Sequence, residues 1–261
     1  RAINSVLTQT YENVKVAVYD NASNDETESV VGHFVNHDKR VSYKCNKVNV
    51  GPLANFKIAF HEVDTEFFCL FSDDDVLLPE CIENGIKNLD KFTNAMAWGG
   101  IVLINNGKGI EGFMPQPYWK EGYNNPRVSS KLLSIGNIVS TTGMIFRTKI
   151  IDEAFHPGYS DFIINDINWS KHAAFKGGIG FSKKTVAVIY KSGDSCTNMS
   201  ESNLQKRIDF FYPSVKYLCE NNDSSAILTT TEKSTYLKRL RKTFGLLPLR
   251  DVGIESMIKK E

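Results

Sequence analysis

The sequence predicts an α/β protein with a mostly parallel sheet flanked by helices. Two observations indicate this class. Short apolar segments alternate with segments whose apolar residues recur at helical spacing. Two of the apolar segments, residues 14–19 and 67–71, run directly into clusters of small polar or acidic residues. Because ligands bind at the carboxyl ends of strands in open α/β sheets, these two clusters are candidate functional sites.

Helix and strand alternate through the first third of the chain. The predicted elements are helix 2–11, strand 14–19, a helix through 30–35, strand 41–43, helix 52–60, strand 67–71 and helix 79–92. Gly51 permits an unusual backbone angle, and Pro52 suits the first turn of its helix. This order favours parallel strand pairing, since each crossover carries a helix.

The second part of the chain is less regular. The predicted elements are strand 95–104, a turn at 105–109, helix 128–135, strand 138–146, helix 165–175, strand 185–190 and further helices to the C-terminus. Residues 107–126 show no periodicity, and no element is predicted there. Tyr118 and Trp119 lie in this segment. For such aromatics, packing beneath a loop is favoured over stacking on a sugar face.

Composition narrows the classes of function. The net charge of +1, from 31 basic and 30 acidic residues, argues against a global field that recruits nucleic acid. The five cysteines are odd in number and lack a CxxC spacing, which favours a reducing, cytoplasmic location and argues against a zinc site. No apolar run is long enough to span a bilayer. The chain opens without Met inside a predicted helix and is expected to be part of a longer natural chain.

Three consecutive carboxylates, Asp73, Asp74 and Asp75, follow the apolar segment 67–71. Neighbouring like charges repel one another unless a cation or several donors compensate, so the sequence predicts a divalent metal site. Oxygen-only ligands favour Mg or Mn over Zn. The alternative is a solvated turn that caps the next helix. The buried strand in front favours the metal site.

Several short motifs occur in a characteristic order. They are SVLTQTY at 5–11, VYDNASND at 18–25, Asn49 and Gly51 with Asn55, the carboxylates with Pro79, and Asn165 with Asp166. The first two resemble the helix end and the DDGSxD turn of the family 2 glycosyltransferases, and the last two resemble the DxD motif and the later ED pair of that family. Asn49 and Gly51 with Asn55 add to the resemblance by their place between them. Members of that family are inverting enzymes of the GT-A fold that use nucleotide-diphosphate sugars. The resemblance covers residues 1–195.

The resemblance implies a donor site at the first cluster. Asp20 would accept a hydrogen bond from a ring N–H of uracil or thymine, and Asn21 and Asn49 would belong to the same nucleotide site. The alternative role of Asp20 is to cap the turn that follows it, and the two roles are compatible. A UDP-sugar is the expected donor.

The resemblance also implies the reacting groups. Asp73 and Asp74 would contact ribose or sugar hydroxyls, and Asp74 and Asp75 are the candidate ligands of a Mn or Mg ion that bridges the diphosphate. Asp166 would be the general base that deprotonates the acceptor hydroxyl, and a single displacement gives inversion. Alternatively, Asp166 is only a carboxylate favoured by a helix N-terminus.

The sequence departs from the family pattern in three places. Ser72 stands where the first Asp of the family triplet falls, so the working triplet is either 72–74 or 73–75. Asn21 and Asn165 each replace an acid. A strand that precedes the first helix in the family, central in its sheet, is absent here. These departures keep a non-catalytic nucleotide-sugar-binding module open as the alternative function.

The resemblance divides the chain into a nucleotide-sugar-binding half at 1–105, an acceptor-binding half at 106–195 and a helical segment at 196–261. The basic segment 233–250 suits peripheral contact with an anionic membrane, and its alternative is a helix packed back on the domain. The expected function is a metal-dependent inverting glycosyltransferase acting on a glycan or lipid-linked acceptor. A nucleotidyltransferase is disfavoured because no glycine-rich triphosphate loop with a basic residue occurs near the start.

Overall fold

The computed structural model describes residues 1–114, 119–134, 139–154 and 166–191. The helices are α1 (Ala2–Leu7), α2 (Thr27–His37), α3 (Pro52–His61), α4 (Cys81–Lys91), α5 (Pro126–Ser134), α6 (Lys149–Ala154) and α7 (Asp166–Lys176). The strands are β1 (Val16–Asp20), β2 (Val41–Cys45), β3 (Phe67–Phe68), β4 (Val76–Leu77), β5 (Ala97–Asn105), β6 (Ile110–Met114), β7 (Gly122–Asn124), β8 (Ile145–Arg147) and β9 (Ile179–Tyr190). The helices predicted beyond residue 191 lie outside the described residues.

The strands form two sheets. β1 and β2 pair in parallel as a two-stranded sheet. The other described strands form one sheet in the order β3-β8-β5-β9-β4, with β6 added to β5 and β7 added to β9. Within that sheet β5 and β9 are parallel and the remaining pairs are antiparallel. The α/β class is confirmed, but the sheet is mixed and not mostly parallel.

The antiparallel pairs come mainly from the part of the chain where periodicity is weak. β6 returns along β5 after the turn 106–109, in which the Asn106 N–H donates to the Gly109 carbonyl at 3.2 Å. So short a connection can join only antiparallel neighbours. The predicted strand 138–146 is reduced to β8, because residues 141–144 form a buried turn closed by a hydrogen bond from Met144 N–H to the Thr141 carbonyl. α6 was not predicted.

Residues 67–71 lie between the two hydrophobic cores. Only Phe67 and Phe68 pair as a strand, yet the side chains alternate along the whole segment as in an extended chain. Phe67, Cys69 and Phe71 pack on a core that includes Leu89 and Trp98. Phe68 and Leu70 pack on a second core around Phe146 and Trp169. The segment before the carboxylates therefore packs on both cores, but its residues are half-buried and not fully buried as predicted, and most of it is not hydrogen-bonded as a strand.

Trp119 is packed inside the protein. Its side chain is 2% exposed, and its ring centroid lies 6.1 Å from that of Phe181 on β9. This confirms the prediction that it packs beneath a loop, and it removes Trp119 from the candidates for stacking on a sugar. Tyr118 lies outside the described residues.

β1 and β3 each have one edge without a strand partner. Among the described residues, β1 pairs only with β2, and β3 pairs only with β8. No described strand connects the two sheets.

Candidate functional site

The three carboxylates lie in the turn 72–75, which we call the acid turn. It connects the half-buried segment 67–71 to β4. Asp73 is exposed, Asp74 is half-buried and Asp75 is buried. The Arg1 guanidinium donates to the Asp74 carbonyl oxygen at 2.6 Å and lies over the Tyr190 ring, 3.9 Å from its centroid. A cationic side chain therefore lies against the acid turn.

Asp75 faces the interior. Its Oδ2 accepts a hydrogen bond from the Thr142 hydroxyl at 2.8 Å, and its Oδ1 accepts one from the Tyr190 N–H at 3.2 Å. Burial raises the pKa of Asp75, while the Thr142 and Tyr190 hydrogen bonds oppose that rise. Asp75 thus ties the acid turn to the turn before β8 and to the end of β9.

Side chains of α1 and of the residues just after it hold the segment that follows the acid turn. Gln9 donates from Nε2 to the Leu78 carbonyl at 2.8 Å and accepts at Oε1 from the Ile82 N–H at 3.1 Å. The Ser5 hydroxyl accepts from the Leu77 N–H at 3.1 Å. These contacts give a physical reason for the Ser and Gln of the SVLTQTY motif, whose role local sequence does not predict. α1 ends at Leu7, earlier than the predicted end at residue 11. Gln9 therefore lies in the non-helical segment that follows, where its side chain reaches Leu78.

Asp20 ends β1 with a side chain that is 6% exposed. Its Oδ1 accepts the Ser23 N–H at 2.9 Å, as the capping interpretation predicted, and its Oδ2 accepts the Tyr43 hydroxyl at 2.6 Å. Burial would raise the pKa of Asp20, but the hydrogen bonds from Ser23 and Tyr43 outweigh burial and the pKa is lowered. The carboxylate is therefore ionised and fixed in orientation. Tyr43, in the middle of β2, was not among the predicted site residues because its contact with Asp20 is made across two strands.

Asn21 and Asn49 lie in contact. Asn21 Nδ2 donates to Asn49 Oδ1 at 2.9 Å, which joins the turn after β1 to the loop before α3. Gly51 follows with φ of +84°, a left-handed conformation that glycine adopts without strain. α3 then begins at Pro52, as predicted. The two residues assigned to one nucleotide site are thus brought together by the fold.

Asp166 is the first residue of α7. The helix is anchored in the core by Trp169, which is fully buried. The side chain of Asp166 and the whole of Asn165 lie outside the described residues. The role of Asp166 as the general base is therefore taken up below as a proposal.

The three carboxylates differ in the oxygens they offer to a metal ion. Both Asp75 oxygens accept hydrogen bonds, whereas the Asp73 and Asp74 side chains make no hydrogen bond or ion pair within the described part of the chain. That part contains no group of three or more His, Cys, Asp or Glu side chains able to hold a metal. Mg and Mn sites commonly use one or two carboxylates together with substrate phosphates. Asp74 and Asp73 fit such a shared site.

A comparison with known protein families identifies the family of this chain. Residues 1–155 match the model of glycosyl transferase family 2, which is more than half of the 261 residues. The chain belongs to glycosyl transferase family 2. The matched range contains Asp20, Asn49 and the acid turn of this family 2 member, and it ends before Asp166.

Two bacterial relatives illustrate the similarity. The family 2 chain is 27% identical over 156 residues to a Haemophilus influenzae protein named as an uncharacterized glycosyltransferase, which covers 58% of this chain and 48% of that protein. It is 33% identical over 119 residues to the Campylobacter jejuni GalNAc(5)-diNAcBac-PP-undecaprenol beta-1,3-glucosyltransferase, covering 42% of this chain and 38% of that one. The chain therefore spans about half or less of the length of these relatives.

Solved structures show the fold. Staphylococcus aureus TarS in complex with UDP-GlcNAc aligns with a TM-score of 0.60 at 17% identity, covering 98% of this chain and 78% of that one. The mannosyltransferase PcManGT of Pyrobaculum calidifontis, in complex with GDP-Man and Mn²⁺, aligns with a TM-score of 0.57 at 14% identity, covering 99% and 76%. The GT-A fold implied by the resemblance is confirmed for this family 2 member.

Proposed function

We propose that this chain transfers a sugar from a UDP-sugar to a hydroxyl group of a glycan or lipid-linked acceptor, with inversion at the anomeric carbon and with a divalent cation. One observation carries the proposal. In a family 2 chain, the ends of two apolar segments present an ionised, oriented Asp20 carboxylate and an Asp74 carboxylate that has no partner among the described residues. The first suits a nucleobase and the second suits a cation with its diphosphate.

The donor is held from both ends. Asp20 accepts a hydrogen bond from the ring N–H of uracil through a lone pair that its two protein donors leave unused, and those donors fix the orientation of the carboxylate. Asp73 and Asp74 take the sugar or ribose hydroxyls and the cation. Asp74 would hold a Mn or Mg ion, which would supply positive charge beside the leaving nucleotide.

Asp75 and Asp166 have different roles in this proposal. Of the two possible triplets, the hydrogen bonds of Asp75 favour 72–74, with Asp74 as the metal ligand and Asp75 as the residue that positions the acid turn. Asp166, at the start of α7, takes the proton from the acceptor hydroxyl as that oxygen attacks the anomeric carbon. One displacement opposite the leaving diphosphate inverts the stereochemistry.

The acceptor is proposed from chemistry and from one relative. The name of the Campylobacter jejuni relative includes an undecaprenol-linked glycan as the acceptor. A lipid-linked acceptor would place the reaction at the cytoplasmic face of a membrane. Among the described residues, no helix is both long and apolar enough to cross a bilayer. The basic segment 233–250, outside those residues, is the proposed peripheral contact.

Thermal-shift titration with and without Mn tests the donor site. The panel is UDP, GDP, UDP-GlcNAc, UDP-glucose and GDP-mannose, because a ligand that binds only the folded state raises the melting temperature. We expect the uridine ligands to raise it and Mn to increase the rise. If none of the five ligands shifts the melting temperature, the proposal is contradicted.

Asp166→Asn tests the catalytic step. We expect loss of transfer to a panel of glycan and lipid-linked acceptors, while nucleotide binding stays as in the wild type, because a general base acts only on the acceptor proton. Asp90→Asn, an exposed position on α4, is the matched control. Equal turnover in Asp166→Asn would remove it from the role. Tight binding with neither transfer nor donor hydrolysis in the wild type would instead favour the non-catalytic binding module.

A further inference from the structure

Four asparagine side chains link the end of β1 to the loop between β2 and α3. We call Asn21, Asn46, Asn49 and Asn55 the asparagine clasp. Asn46 Nδ2 donates to Asn21 Oδ1 at 3.1 Å and to Asn55 Oδ1 at 2.9 Å. Asn21 Nδ2 donates to Asn49 Oδ1 at 2.9 Å. The hydrogen bonds therefore pass through all four side chains.

Backbone groups fix the orientation of three of these amides. The Val50 N–H donates to Asn21 Oδ1 at 2.9 Å, and the Gly51 N–H donates to Asn49 Oδ1 at 2.9 Å. At the other end, Asn55 Nδ2 donates to the Tyr19 carbonyl at 2.9 Å. The oxygen and nitrogen of an amide are hard to tell apart by shape, but a backbone N–H needs an acceptor and a carbonyl needs a donor. Asn46 then has only acceptors facing its Nδ2.

Asn21 acts as both donor and acceptor within the clasp. A carboxylate at this position could still accept from Asn46 and from the Val50 N–H, but it could not donate to Asn49. Its oxygen would face Asn49 Oδ1, which is already oriented by Gly51. Two acceptors in contact repel each other. Asn21 is therefore suited to this protein by its amide.

We propose that the asparagine clasp holds the nucleotide-binding turn in its binding geometry before the donor arrives, and that Asn21 is a positioning residue that a carboxylate cannot replace. The inference rests on the proposed function, since the turn is the proposed nucleotide site. It assigns Asn21 and Asn49 an action through the loop instead of a direct contact with the nucleotide.

The clasp lowers the cost of binding by ordering two loops in advance. It attaches the Val50 backbone to the residue next to Asp20, and the Asn46 N–H donates to the Asp20 carbonyl at 2.9 Å. Loops that are ordered before binding lose less conformational entropy when the ligand arrives. The effect should therefore be seen in the donor affinity and in the donor KM, with little change in kcat.

Asn21→Asp and Asn24→Asp form the decisive pair of variants. Asn24 lies in the same turn, is exposed and has no side-chain hydrogen bond within the described residues, so its variant adds the same charge without breaking the clasp. We expect Asn21→Asp to raise the Kd for UDP by about tenfold, the effect of one lost hydrogen bond with repulsion, and Asn24→Asp to raise it much less. Equal Kd values for the two variants would overturn the positioning role.

Melting temperatures provide a readout that does not need a nucleotide. Asn49 uses only its oxygen in the clasp, so Asn49→Asp keeps both of its hydrogen bonds, whereas Asn46→Asp loses two donations. We expect the melting temperature to fall for Asn46→Asp and Asn21→Asp and to fall less for Asn49→Asp. An equal or larger fall in melting temperature for Asn49→Asp than for the other two variants would overturn the clasp. If the wild type binds no nucleotide, the proposed function fails, while this order still decides whether the clasp exists.

Discussion

The hydroxyl of Thr142 donates a hydrogen bond of 2.8 Å to the buried carboxylate of Asp75, across 67 positions of sequence. Asp75 also accepts the Tyr190 N–H, so the acid turn is held against the turn before β8 and the end of β9. A buried carboxylate is stable only when donors satisfy its oxygens. The pair therefore fixes the position of Asp74, the neighbouring carboxylate that is proposed to bind the cation.

Thr142→Val should destabilise the protein. The methyl group fills the space of the hydroxyl but leaves Asp75 Oδ2 without its donor, at a cost of about 1–3 kcal/mol in the free energy of unfolding. Thr148→Val is the matched control, because the Thr148 hydroxyl is buried and has no hydrogen-bond partner within the described part of the chain. Urea denaturation at neutral pH measures both. Equal stability of the two variants would mean that the Thr142 hydrogen bond contributes nothing.

Asp74→Asn and Asp75→Asn should separate the metal ligand from the positioning residue. An asparagine at 75 can still accept the Tyr190 N–H and can donate to the Thr142 oxygen, whereas an amide at 74 is a much weaker cation ligand. We expect Asp74→Asn to lose the additional thermal shift that Mn gives with UDP, and Asp75→Asn to keep a measurable part of it. The opposite pattern would assign the ligand to Asp75.

Tyr43→Phe should change the pH dependence of nucleotide binding. The Tyr43 hydroxyl helps to lower the pKa of Asp20 against burial, so its loss raises that pKa and moves the acid limit of UDP binding to higher pH. The lowered pKa also stabilises the folded state above the unfolded pKa of about 3.9, and this stability is lost as pH falls through the folded pKa. The variant should therefore lose stability near neutral pH.

Tyr19→Phe is the control for that experiment. The Tyr19 hydroxyl donates to Glu62 at 2.7 Å and makes no contact with Asp20, so its removal should leave the pH profile of binding in place. Calorimetric titration of UDP between pH 3 and 7 compares the two variants with the wild type. Superimposable profiles for all three proteins would remove Tyr43 from the site.

Lys171→Met should stabilise the protein at neutral pH. Burial on α7 lowers the pKa of Lys171 to about 8, so the charged form is unfavourable in the folded state. Between pH 8 and about 10.4 the unfolded chain binds the additional proton, and wild-type stability therefore rises with pH in that window. The methionine variant should gain on the order of 3 kcal/mol at pH 7 and lose this rise. Lys183→Met, at an exposed position, is the control and should neither gain stability at pH 7 nor lose the rise of stability with pH.

Part of the candidate site follows from local sequence. Asp20 caps its own turn through the Ser23 N–H, and Gly51 with Pro52 begins α3 as predicted, because these interactions join residues a few positions apart. The alternation of residues 67–71 between two cores also follows from periodicity. Together these predict the class of fold and the place of both clusters.

Pairing across long separations was not predictable from periodicity. The mixed sheet depends on short strands such as β7 and β8, whose three residues carry no clear pattern. Gln9 contacts Ile82 across 73 positions, although its motif was recognised without a physical role. Such contacts depend on how whole helices and strands pack against one another, which the local pattern of apolar residues does not determine.

The sequence by itself determined an α/β chain with acidic and polar clusters after two apolar segments, because hydrophobic period and turn chemistry are local properties. Only the tertiary structure decided which acids remain available. The Asp75 carboxylate accepts hydrogen bonds from Thr142 and Tyr190, while the Asp74 carboxylate has no hydrogen-bond or ion-pair partner among the described residues. The reason is that a side chain's hydrogen-bond partners are set by the segments that folding packs against it, and adjacent aspartates of identical chemistry can therefore differ in function.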